Sequence, residues 1–125
     1  MALYIVLENK NPGFDAFVNG KALARSETRL AEMAGRHGVH PLMHFFSLNP
    51  DEAAGFLESE GLADVEIPSE QWFSPEEGIR TVQALLHEVE TIPEMGDVKS
   101  DLLEFDKVLR QAQDKGIRWH LAVDF

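Results

Sequence analysis

Five histidines and 22 carboxylate side chains, with no cysteine, define the chemistry open to this chain. Imidazole and carboxylate groups can move protons; thiol nucleophiles, disulfides and cysteine metal sites are excluded. His120 is the histidine best placed for a site. It lies in a C-terminal stretch, 117–125, that alternates in the period-2 manner of a strand. Ile117, Trp119, Leu121, Val123 and Phe125 share one face. Arg118, His120, Ala122 and Asp124 share the other, so His120 has Arg118 and Asp124 on its own face. Tyr4 joins this group if the two terminal strands pair in suitable register. A polar pocket built this way would suit a metal-independent enzyme acting on a small molecule.

The other histidines make weaker patterns. His40 and His44 have i,i+4 spacing, but Pro41 restrains His40 from the helical region. There is no Glu-Xaa-Xaa core between them and no third ligand at zinc-site spacing. His87 and Glu88 are adjacent on a helix and therefore point apart. Asp101, Glu104 and Asp106 spread around their helix toward solvent. No phosphate loop, nucleophile elbow or calcium loop is written in the chain. No cofactor and no metal are expected.

The stretch 71–78 reads Gln-Trp-Phe-Ser-Pro-Glu-Glu-Gly. Ser74 is an N-cap, Pro75 fits the first helical position and Glu77 can close a capping box. Gly78 occupies the position from which a hydrophobic staple would come, so Trp72 and Phe73 must pack elsewhere or line a pocket. Core packing is the expectation, because large aromatics supply much of a small domain's burial. If they are wet, Trp72 and Phe73 with Glu76 and Glu77 form a recognition surface.

The charge balance narrows the partners. Eleven basic residues against 22 acidic ones give a formal charge of −11. That field repels nucleic-acid phosphates and anionic lipid and attracts a basic protein surface. No apolar run reaches membrane-span length, and the N-terminal residues lack the basic-then-apolar pattern of a signal peptide. No nucleic-acid or membrane partner is expected, and a reducing cytoplasm suits the composition.

These residues need a scaffold. The length of 125 residues fits a single domain spanning 1–125. Strands are predicted over 2–8 and 117–125, with a short edge strand at Val65 and Ile67. Helices are predicted over 21–37, with Ser26 as an alternative start, from Pro50 to about Glu58, from Pro75 through Val89, and from Asp97 to about Lys115. Gly38 and Gly116 stand at the expected helix ends. The predicted fold is α+β: a small mixed or antiparallel sheet holding both terminal strands, with about four helices packed on it. Three functions fit. The first is a small acidic interaction module that binds and restrains a basic protein. The second is the metal-independent enzyme. The third is a structural domain that associates with itself. No enzymatic activity is assigned.

Overall fold

The computed structural model describes residues 1–59 and 70–124. The terminal strands meet in one sheet. Strand β1 (Ala2–Leu7) pairs antiparallel with β2 (Trp119–Asp124), from Ala2 opposite Asp124 to Leu7 opposite Trp119. Alternation puts Leu3, Ile5 and Leu7 on the same face as Trp119 and Leu121, and all five are buried. The short strand predicted at Val65 and Ile67 lies outside the described residues.

Helices α4 (Pro75–Val89) and α5 (Gly96–Lys115) pack on each other and build most of the core. Val82, Leu85 and Val89 are buried from α4; Leu102, Phe105, Leu109 and Ala112 are buried from α5. These are the apolar stripes expected of helices that bury one side. Helix α3 (Pro50–Ser59) starts as its sequence predicts, with Glu52 N–H donating to Asn49 Oδ1 at 2.7 Å. Ser74 caps α4 by accepting from Glu77 N–H at 3.4 Å. Gly116 ends α5 at φ +64°, a left-handed conformation that glycine adopts without a Cβ clash.

The helix count departs from the expected four. The segment 21–37 breaks at Ser26 into α1 (Lys21–Arg25) and α2 (Glu27–Arg36), so five α-helices occur among the described residues. Each half serves a different neighbour: α1 packs on β1 and α5, and α2 packs on α4. Gly20, ahead of α1, has no side chain to cap it. Asp101 on α5 does so instead, accepting from Ala22 N–H at 3.0 Å and Leu23 N–H at 3.3 Å. Asp101 is therefore half-buried between helices rather than turned to solvent as its helical position suggested.

The missing staple on α4 also has a physical cause. A Cβ on Gly78 would run into Trp119 Cζ2 and lie 2.9 Å from Trp119 Cε2. The indole occupies the space that a staple side chain would have filled. No helix among the described residues is long and apolar enough to cross a membrane.

Candidate functional site

The second face of the sheet carries Ala2, Tyr4 and Val6 opposite Asp124, Ala122 and His120. His120 is only 1% exposed, so the expected polar face is closed at that point. The Trp72 ring lies over the imidazole with centroids 4.9 Å apart. Nδ1 is 2.9 Å from the Leu121 carbonyl oxygen and Nε2 is 3.0 Å from Glu70 Oε2. A carbonyl and a carboxylate only accept, so both bonds form with a proton on each ring nitrogen, or with a protonated Glu70 carboxyl donating to Nε2.

This cluster stitches the 70–74 segment to the sheet. Ser47 Oγ donates to the Gln71 carbonyl and accepts from Gln71 N–H, each at 3.1 Å. Phe73 and Trp119 exchange backbone bonds of 2.8 and 3.0 Å, and Ser47 N–H donates to the Leu121 carbonyl at 3.2 Å. Trp119 Nε1 donates to the Ser74 carbonyl at 3.1 Å. The side of β2 away from β1 is thus covered by residues 46–47 and 73.

The sequence-predicted site residues therefore separate. Trp72 and Phe73 are half-buried: Trp72 against His120, Phe73 edge-on to Phe45 with centroids 5.2 Å apart. Glu76 and Glu77 are exposed on the first turn of α4. Arg118 is exposed and grips Glu8 through two bonds, Nε at 3.0 Å and a terminal nitrogen at 2.6 Å. That carboxylate pushes the Arg118 pKa upward. Tyr4 and Asp124 line one open site together, and His120 does not line it.

That site is a groove of about 410 Å³ along β1. Ala2, Tyr4 and Ile5 form one side, residues 16–19 the other, and Lys21 and Asp124 complete the lining. Phe17 in its wall is 78% exposed, which makes it the most exposed large apolar side chain among the described residues. The wall is tied down beyond both ends. Lys115 Nζ donates to the Pro12 carbonyl at 2.6 Å, and Gly20 exchanges backbone bonds with Leu3. Burial raises the Tyr4 pKa first, and the negative charges of Glu52 and Asp124 raise it further. Helix α3 and strand β2 thus bring two carboxylates to bear on one phenol. The sequence signals for this wall were the aromatics of Phe14-Asp-Ala-Phe-Val, in a stretch without helical or strand periodicity, and the turn dipeptide Asn19-Gly20 after them.

The remaining histidines make local contacts. The exposed rings of His40 and His44 stack in parallel with centroids 3.8 Å apart, despite the restraint from Pro41. Glu88 turns from His87 to Arg36 on α2 and to His37 at the C-cap of that helix. Arg36 and then His37 hold its carboxyl below the usual glutamate range. Among the described residues, no three histidine, aspartate or glutamate side chains are grouped to hold a metal ion. Comparison with known proteins yields no match: no family model covers the chain, and no curated protein or solved structure is significantly similar to it.

Proposed function

We propose that this protein is a small acidic interaction module that binds a basic protein partner at the groove beside β1. The observation that carries this reading is the exposed Phe17 in a groove whose Tyr4 feels both Glu52 and Asp124. An exposed aromatic offers contact area that binding would desolvate, and carboxylates close by favour a cationic surface over other partners. The formal charge of −11 extends that preference over the approach path. Glu76 and Glu77 add to the field as exposed charges on α4.

The test is affinity capture with the intact chain, cross-linking to locate the contact, and association kinetics of the identified partner at two salt concentrations. Reversal of Glu52 and Asp124 to lysine should slow low-salt association by roughly tenfold and lose most of that effect at high salt. Unchanged association with a partner cross-linked to the groove would refute steering by these carboxylates.

A further inference from the structure

The groove borders a strand edge whose hydrogen-bonding groups are only partly used by the described residues. Leu3 N–H donates to the Gly20 carbonyl at 3.1 Å, and Gly20 N–H donates to the Leu3 carbonyl at 2.8 Å. Leu3 therefore turns its backbone groups away from β2. Alternation along a strand gives Ile5 and Leu7 the same outward direction. Glu8 N–H, out of phase with them, donates inward to the Arg118 carbonyl at 2.9 Å. Leu121 and Trp119, opposite Ile5 and Leu7, likewise use their backbone groups on the far side of β2, toward Ser47 and Phe73. The two edges of the sheet thus differ. The β2 edge is covered, whereas the β1 edge is paired at Leu3, and the backbone groups of Ile5 and Leu7 have no hydrogen-bond partner among the described residues.

The chain itself begins to fill this edge and then leaves it. Gly20 makes one antiparallel bridge to Leu3. Continuing that register would bring Val18 opposite Ile5, but no second bridge forms, and the groove is lined by both Ile5 and residues 16–19. An extended segment entering there would meet the outward N–H and C=O of Ile5, with Phe17 and Tyr4 alongside.

We propose that the outer edge of β1 is a strand-addition site for an extended, lysine- or arginine-bearing segment of a protein partner. This rests on the basic-partner reading above and names its mode of attachment. Backbone pairing along β1 supplies affinity without demanding a particular sequence. Side chains on alternate positions of the added segment fall on the face that carries Tyr4 and Asp124, where a cation meets negative charge. Lys21 in the lining is available to a carbonyl or an acidic residue of the same segment. A second copy of this chain is the poorer occupant, because each copy carries −11.

The test uses a displayed library of random octapeptides selected against the intact chain. Enriched peptides are synthesised in three forms: unmodified, and N-methylated on each of the two alternating sets of residues. Basic residues at alternate positions should be enriched. Amide exchange at Ile5, followed by NMR, should slow at least about tenfold at saturation. Methylation of one alternating set should weaken binding by about tenfold or more while the other set leaves it nearly intact, since only one set donates to β1. Asp124→Lys should weaken the unmodified peptide. If basic peptides bind equally well with either set methylated, or shift resonances around Glu76 and Glu77 instead, strand addition is overturned and the basic-partner reading stands. If no basic peptide is enriched, strand addition is also overturned. The partner reading falls with it only if the captured partner ignores Glu52 and Asp124 reversal.

Discussion

Replacing Gly78 by alanine tests how closely Trp119 packs against α4. In an open helix this exchange would stabilise by up to about 1 kcal/mol, because alanine loses less backbone entropy. Here the new methyl would collide with Trp119 Cζ2, lie 2.9 Å from Cε2 and 3.1 Å from Leu109 Cδ1. The indole has little room to retreat. It is fully buried, its Nε1 is bonded to the Ser74 carbonyl at 3.1 Å, and Phe45 lies against it with centroids 4.9 Å apart. Its backbone is held by Phe73 on one side and paired with Leu7 on the other. Overpacking a core by one methyl costs about 1–3 kcal/mol, and this site stands at or above the upper end. Subtracting the helix gain leaves a net loss of about 2 kcal/mol. At this chain length that lowers the melting temperature by roughly 8 °C. Gly35 is the internal control. It also lies within a helix, α2, but an added Cβ there meets nothing within 4 Å. Gly35→Ala should stabilise by about 0.5–1 kcal/mol. Urea unfolding of the two variants, monitored by tryptophan fluorescence and circular dichroism, should show opposite signs. A neutral or stabilising Gly78→Ala would refute the tight seating of Trp119 against α4.

Asp101→Ala should cost about 1–2 kcal/mol by uncapping Ala22 and Leu23, and Asp101→Asn should cost less because it keeps an acceptor. Burial raises the Asp101 pKa despite those two N–H bonds, so the native state holds its proton more tightly than the unfolded chain. The pH-dependent part of its contribution is complete below the ordinary aspartate range and is lost as pH rises through the folded pKa, while the two N–H bonds remain; the difference between wild type and Asp101→Asn in urea unfolding across acid pH should carry that slope. Tyr4 should ionise above the ordinary tyrosine range in an ultraviolet titration, and both Asp124→Asn and Glu52→Gln should lower its pKa; no response to either would remove the carboxylates from the groove. Glu88 has the opposite sign: its pKa is lowered, so its contribution is present above the ordinary glutamate range and is lost as pH falls through the folded pKa. Arg36→Ala should move the Glu88 carboxyl resonance midpoint upward in an NMR titration.

Local pattern alone determined the ends of most elements. Both terminal strands, the Asn49 and Ser74 caps and the Gly116 stop follow from alternation, short-range side-chain acceptors and a left-handed glycine. These are interactions within a few residues of chain, so the sequence displays them directly. The placement of β1 and β2 in one sheet was also legible, since a strand with an apolar face as long as 117–125 needs a partner. Tertiary structure decided what lies on each face. His120 reads as a polar-face residue, yet Glu70 and Trp72 cover it from far along the chain. Asp101 reads as solvated, yet it caps a helix whose own N-cap position holds glycine. The segment 21–37 has a nearly continuous helical stripe with Ser26 as an alternative start, and the division there goes with separate neighbours for α1 and α2. The groove depends on where residues 16–19 part from β1 after the single bridge at Gly20, with Lys115 tying the chain farther back at Pro12. No periodicity encodes that separation: burial, edge pairing and the reach of a distant side chain are set by three-dimensional packing, which spacing along the chain does not contain.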